Sequence, residues 1–523
     1  MRRTGFTFTI LVLGIMAKAV AQPSFTVTVN AKERAQTIHN FGASGCWYSE
    51  PIGRYWAEEK KEKIAELLFS RELDAQGNPR GIGLSAWRFN IGGGSFEQGD
   101  SSGIKNKWRR AECFLDANGQ YDWSKQSGYQ WFLRKAKAYG VETLIAFSNT
   151  PPVQFNKNGL AFKTEKDYTA NLAPGKYTAF ADFLAEVVQH FDKEGLHFDY
   201  VSPVNEPQWD WSNSFGNGGQ EGSPWKNEDI HHIVTELDRS LTARSLKSNI
   251  MVTEAGMLTY LYGGTSGTSR QTQALFNEQS SLDIKTLAHV PAFIGGHSYF
   301  TENGDSSLIT VRKHVADTAK KYGVEYWQTE YSMLGDGFRE GDKGSRSAMD
   351  CALFLAKVIH HDLATGNAAA WHLWNAYEPG RADSNTRYYV IALKPGDDFT
   401  DGTFTPVKNL WALGHYSRFV RPGMHRVPLS RSDNASDEQA AQGVMLSAFA
   451  DEKNTTMVLV AINYTQQEQT FQLDLQNFKR VKTYTSYTTT ALPDENMKVR
   501  TAQKLQNGIR LPSRSITTIL INR

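Results

Sequence analysis

Cysteine is scarce in this 523-residue chain, with Cys46, Cys113 and Cys351 the only three. So odd and sparse a set excludes a disulfide framework, leaves room for one bridge at most, and reads as small buried residues. An excess of one charge is lacking too, since 57 Lys and Arg stand against 55 Asp and Glu. With no basic surplus to displace counterions from phosphates, and no run of like charge forming a tail, a nucleic-acid partner is not expected. Beyond the N-terminus no apolar run reaches spanning length, so no integral membrane segment is expected in the processed chain. Solenoid repeats and low-complexity linkers are missing. Ile91-Gly92-Gly93-Gly94-Ser95 follows a strand-like run, yet neither dinucleotide spacing nor a phosphate-loop Lys-Ser/Thr comes after it, so no nucleotide cofactor is expected. His360-His361-Asp362 lies on a predicted helix away from the strand ends and has no companion cluster. It reads as a surface or packing feature, and no metal is expected.

What is present begins with Met1-Arg2-Arg3-Thr4, an apolar run through Ile10-Leu11-Val12-Leu13, and Ala19-Val20-Ala21 before Gln22. Charged, apolar and small-residue parts in that order predict an export signal over residues 1–21, and a periplasmic or secreted destination. No cysteine beside the cleavage point supports a lipid anchor. Aromatic residues are plentiful, with 13 Trp and 21 Tyr. Their flat apolar faces suit stacking on neutral sugar rings, although cores use them as well.

Ser24 to Val29 alternates like a half-buried strand, and residues 22–37 are expected to join a side β-domain. From residue 38 to 404, β-prone runs alternate with helical spacing. The predicted strands are Ile38–Gly42, Gly83–Ile91, Val141–Ser148, Phe198–Val204, Ile250–Thr253, Phe293–Phe300, Val324–Thr329 and Ala368–Trp374. Predicted helices between them include Lys60–Leu68, Tyr177–Phe191, Ile230–Leu246 and Ala348–Leu363. Eight such units predict an α/β fold, a closed (β/α)8 TIM barrel. From residue 405 to 523 the helical pattern stops, and runs such as Met457–Ile462, Gln469–Leu475, Val481–Tyr487 and Ile516–Ile521 predict a side antiparallel β-sandwich.

Two of the barrel runs end abruptly on glutamate, in Val204-Asn205-Glu206-Pro207 and Gln328-Thr329-Glu330. The carboxyl ends of barrel strands are where chemistry collects, and two carboxyl groups facing one bond are what glycoside hydrolysis needs. A lone strand-end glutamate could equally be a rim charge, and residue types alone do not say which of the pair donates the proton. Glu254, in Val252-Thr253-Glu254-Ala255-Gly256, ends a strand in the same way and reads as a ligand or structural partner.

The order Asn-Glu-Pro after the fourth strand and Thr-Glu after the seventh resembles the retaining glycosidases of glycoside hydrolase family 30. Other matching features are Phe41-Gly42-Ala43-Ser44-Gly45, Trp87-Arg88-Phe89-Asn90-Ile91-Gly92, His297-Ser298-Tyr299, Trp371-His372-Leu373-Trp374-Asn375 and the run Trp411 to Gly423. The resemblance covers nearly the whole processed chain. It implies Glu206 as acid/base, Glu330 as nucleophile and Tyr299 as a hydrogen-bond donor to the nucleophile. It also implies Arg88, Asn205, His297 and Trp374 around the first sugar site. Many members carry tryptophan where Ser148-Asn149-Thr150 stands here, so Asn149 is expected to make a polar contact instead. Phe41 to Trp47 and Gln208-Trp209-Asp210-Trp211 look more like the branch that cuts β-1,6-linked galactan, which adds Trp47 and Trp209 as expected sugar contacts. Trp211, Trp225, Tyr377, Arg381, Tyr388 and Tyr389 are further loop candidates. The expected partner is a polysaccharide or oligosaccharide, with xylan- or β-1,6-glucan-directed hydrolysis and a carbohydrate-binding protein without catalysis as alternatives.

Overall fold

The computed structural model describes residues 25–335 and 346–523. The export segment expected over residues 1–21 lies outside the described residues. Eight parallel strands form one sheet: β1 (Asn40–Ser44), β2 (Ala86–Ile91), β3 (Thr143–Ser148), β4 (Tyr200–Ser202), β5 (Asn249–Ile250), β6 (Phe293–His297), β7 (Glu325–Glu330) and β8 (Ala368–Trp374). The sheet runs β5-β4-β3-β2-β1-β8-β7-β6. It curls back on itself where the Gly295 amide donates to the Val252 carbonyl (2.6 Å) and the His297 amide to that of Ala255 (2.8 Å).

Period-2 alternation sorts the side chains. On β2, Trp87 and Phe89 point outward, against Phe69 and Phe191 of the flanking helices. Ala86, Arg88 and Asn90 fall on the other face and point inward. At the foot of the barrel Ala86, Ile145, Met251, Phe293, Trp327, Ala369 and Ala370 make a dry plug, with Phe293 and Trp327 stacked at 4.1 Å.

Five strands, β2 to β6, are shorter than the sequence pattern predicts. β5 ends at Ile250 rather than Thr253, although Met251 and Gly295 continue the hydrogen bonding to Val201 and Val252. The run stops because Glu254 has φ +53°, as Glu206 beyond β4 has φ +45°. Left-handed backbone cannot continue a strand, and it turns both side chains out of the ladder.

Against the helices Ala348–Ala364 and Lys408–Ser417 on the barrel's outside, a six-stranded antiparallel sheet runs His425–Val427, Val444–Ala450, Thr456–Asn463, Ser515–Asn522, Thr483–Thr489, Lys498–Lys504. Met457 to Ile462 are buried without a break. One face of that strand packs on Phe25, Val27 and Phe471 of a second sheet; the other joins the barrel's core. The second sheet departs from the expected all-antiparallel pattern, because Phe25–Asn30 pairs in parallel with Gln469–Gln476. Strands more than 400 residues apart need no hairpin, so their direction is set by packing alone. Cys46, Cys113 and Cys351 are buried and unbridged.

Arg418, just past the helix Lys408–Ser417, ties the two parts together. Its guanidinium donates to the carbonyls of Ser70 (3.1 Å), Gly81 (3.0 Å), Glu72 (3.1 Å) and Arg71. Replacing Arg418 with Met leaves these acceptors without their charged donor. The variant is expected to lose about 3 kcal/mol of stability, read as an earlier denaturant midpoint.

Candidate active site

The strand ends converge on a cleft of about 400 Å³ lined by Asn205, Glu206, Trp209, Tyr299, Glu330 and Trp374, with Trp211, Gln220, Phe300 and Leu334 at its rim. Each catalytic candidate is aimed by local backbone. Glu206 takes its left-handed turn with its amide bonded to the Glu254 carbonyl at 2.8 Å. Glu330 sits at a register shift between β6 and β7, where His297 pairs with Glu330 rather than with Thr329. Such a bulge re-aims the side chain out of the ladder.

Beneath the two glutamates lies a sealed layer of charge. Arg88 donates to Glu330 Oε2 at 2.7 Å and to Glu254 Oε1 at 3.4 Å, with its guanidinium 4.4 Å over the Phe147 ring. His297 bridges Glu206 Oε1 through Nδ1 (3.0 Å) and Glu254 Oε2 through Nε2 (3.1 Å). The Tyr299 hydroxyl donates to Glu330 Oε1 at 3.0 Å. Arg88, Glu254 and His297 are all but inaccessible, and Glu206 and Glu330 open only slightly to the cleft.

This burial sets the protonation pattern. Desolvation would push His297 down, but the neighbouring Glu330 charge and the bonds to Glu206 and Glu254 outweigh it and lift the imidazole to about 10. Desolvation likewise opposes the Glu254 charge, yet Arg88 and His297 overcome it and hold that carboxyl at about 2. Glu206 is raised, chiefly by burial and further by the Glu330 charge, against the opposing bond from His297. The cations Arg88 and His297 thus face three carboxyls, and of these Glu206 is the one whose hold on a proton is strengthened. One donor atom from each of Glu206, His297 and Glu330 lies within 4.8 Å of the others.

Of the residues expected from the sequence, Asn205, Glu206, Trp209, Tyr299, Glu330 and Trp374 meet at the cleft, while Arg88 and His297 form its foundation. Trp47 stands behind Trp374, edge-on at 5.2 Å. Asn149 is buried and bonded to Asn90 (3.1 Å), outside the cleft lining. Trp225 is no loop platform: it is 1% exposed and stacks on Phe180. Tyr377 and Tyr389 are likewise buried, Tyr377 against Ser49 and Tyr389 against the Arg381 carbonyl. Asp362 of the His-His-Asp run is a packing residue, paired with Arg312 at 2.8 Å and accepting from Ser298 and Trp371. Glu221, unremarked in the sequence, accepts from the Gly93 amide (2.9 Å) and from Ser95 (2.6 Å to its hydroxyl); burial pushes it up to about 7. It fastens the loop carrying Trp209 and Trp211 to the turn after β2. Phe300, 47% exposed beside Trp209, was also missed; its position next to the His-Ser-Tyr motif was the available signal.

Paired carboxyls at the mouth of a β/α barrel, one with its proton held more tightly by burial, are the arrangement a glycosyl hydrolase uses. Residues 24–385 match the model of O-glycosyl hydrolase family 30, and the chain belongs to that family. A conserved exported protein from Bacteroides fragilis superposes with a TM-score of 0.88 at 32% identity, over 95% of this chain and 100% of that one. An endo-β-1,6-galactanase from Hypocrea rufa is 22% identical over 401 residues, covering 71% of this chain and 74% of its own. A glucuronoxylanase from Bacillus subtilis (strain 168) is 23% identical over 377 residues, covering 71% and 70%.

Replacing Arg88 with Met strands two buried carboxylates and is expected to cost about 3–5 kcal/mol at neutral pH. Because Glu254 falls from an ordinary 4.5 to about 2 on folding, the stability this pairing supplies is present above pH 4.5. It is lost as pH falls towards 2. The gap between wild type and Arg88→Met should therefore shrink over that range in denaturation curves taken at successive pH values.

Proposed function

We propose that the chain is an exported, retaining, endo-acting β-1,6-galactanase, with Glu330 as nucleophile and Glu206 as acid/base. The observation that carries the mechanism is the approach of the two carboxyls, whose nearest oxygens lie within 4.8 Å. Inverting enzymes separate theirs by roughly 6.5–9.5 Å to admit a water, whereas retaining ones use about 5–5.5 Å. Glu330 is gripped on both oxygens by Arg88 and Tyr299. Held this way, the carboxylate attacks the anomeric carbon and forms a C–O ester bond. The glycosidic C–O bond breaks, its electron pair goes to the departing oxygen, and Glu206 protonates that oxygen. Ionised Glu206 then takes a proton from water, the water attacks the same carbon, and Glu330 leaves. Two displacements at one carbon retain its configuration.

Asn205 supports sugar recognition, since its Oδ1 is buried beside Glu206 without a partner and can accept from a hydroxyl. Trp374 and Trp209 offer rings on either side. Linkage is supported by the Trp47 and Gln208-Trp209-Asp210-Trp211 motifs and by the galactanase relative; the glucuronoxylanase relative favours xylan as the second reading. Export rests on residues 1–21 and on the description of the Bacteroides fragilis protein as exported.

Wild type incubated with β-1,6-galactan, arabinogalactan, glucuronoxylan and β-1,6-glucan is expected to release short oligosaccharides from the first two. Xylan or glucan products would overturn the substrate and keep the mechanism. Glu330→Gln should lower kcat by at least about 10³-fold, and proton NMR of early products should show retained anomeric configuration. Glu206→Ala should spare an aryl glycoside with a good leaving group far better than polysaccharide. Since Glu206 must be protonated to act and its pKa is raised, kcat should fall on the alkaline side as pH passes through that raised value. No product from any glycan, with wild type and mutants alike, would favour a binding protein.

A further inference from the structure

Glu254 touches Arg88, His297 and Glu206 and is itself wholly shielded from the cleft. Its carbonyl accepts the Glu206 amide at 2.8 Å. Its carboxylate reaches Arg88 with one oxygen (3.4 Å) and His297 with the other (3.1 Å). Both Glu254 and Glu206 adopt left-handed backbone that non-glycine residues rarely take, at φ +53° and +45°. Two such turns joined by one hydrogen bond are a single mechanical unit.

We propose that Glu254, which meets no substrate, is the positioning residue that keeps His297 cationic, orients Glu206, and so holds the acid in its protonated form. The inference rests on the assignment of Glu206 as acid and Glu330 as nucleophile. His297 is faced from every side: by Arg88 on β2, Glu206 beyond β4, Glu254 beyond β5, Tyr299 beyond β6, Glu330 on β7 and His372 on β8. His372 is pushed down to about 3, first by burial and then by Arg88, and is neutral. Glu330 Oε1 lies 3.6 Å from His297 Nδ1 and its charge supports the imidazolium, but its other oxygen is bonded to Arg88, so the ring's hydrogen bonds go to Glu254 and Glu206. With Glu254 ionised, Glu206 is free to stay neutral and accept the His297 Nδ1–H while turning its own proton to the cleft. Were Glu254 uncharged, either Glu206 would ionise to balance the imidazolium or His297 would lose its proton. Both outcomes weaken the acid; only the first moves its pKa down.

The test has two parts. In wild-type protein labelled with ¹³C and ¹⁵N in histidine, with His297→Gln used to assign its signals, His297 should remain doubly protonated from pH 5 to pH 8. Titration of His297 in wild type near the ordinary imidazole value would overturn the proposal, whether or not any variant folds. In Glu254→Gln, the alkaline limb of kcat on polysaccharide should move to lower pH by roughly one unit. On an aryl glycoside that needs no protonated leaving group, the same variant should show no such movement. A uniform fall in kcat at all pH values, with the limb unmoved, would show a merely structural role and sink the proposal. The histidine titration requires no turnover, so it separates failure of this inference from failure of the acid and nucleophile assignments. The latter would appear instead as Glu206→Ala losing aryl glycoside and polysaccharide alike.

Discussion

The rest of this protein depends on keeping five ionisable groups together where water cannot reach most of them. Arg88, His297, Glu254, Glu330 and Glu206 form one connected network through contacts of 2.7 to 3.4 Å. Isolated burial of any one would be prohibitive; as a set, they neutralise one another once Glu206 carries a proton. The same surroundings set two chemically identical carboxyl groups apart, since burial and the Glu330 charge raise Glu206.

A barrel is suited to this because its interior is layered. The foot is filled by Trp327, Phe293 and small alanines, which shuts out water from below. Above it, β2 supplies Arg88 one pleat beyond Ala86, and β8 supplies neutral His372, bonded to Asn40 at 2.6 Å. Glu206 and Glu330 come next, the first on a left-handed turn and the second at a bulge. The cleft is completed by loops that are themselves fastened: Glu221 clamps one to the turn after β2, and Gly256 leaves no room for a β-carbon beneath the Trp209 ring. The sandwich contributes by covering the barrel's outer core, through the buried strand Thr456–Asn463 and the anchor at Arg418. Among the described residues no helix is long and apolar enough to cross a membrane.

Much of this was legible before folding. Alternating periods of 2 and 3.6 announce the β/α units, and a charged residue closing an apolar run marks Glu206 and Glu330, because nothing in packing calls for a carboxylate there. Arg88, Tyr299 and His297 were found through their motifs. Trp225 and Tyr377 were read as loop aromatics, yet both turned inward, since a one-letter sequence does not distinguish a ring facing a cleft from a ring packing under a loop. Asp362 sat in a helical run whose exposed and buried faces only its neighbours could distinguish. The parallel pairing of Phe25–Asn30 could not be read locally, because no short connection fixes the direction of a strand whose partner lies over 400 residues away.

The sequence by itself determined the barrel, the added β-layers and the two strand-end glutamates, because periodicity and strand punctuation are local properties of the chain. Only the tertiary structure decided that Glu254, a third and seemingly equivalent strand-end glutamate, lies beneath the other two. It also decided which carboxyl is raised and which is lowered, since that depends on Coulomb interactions among side chains on or just beyond β2, β4, β5, β6 and β7. Electrostatic energy is set by distance and burial, and neither exists until the barrel has closed.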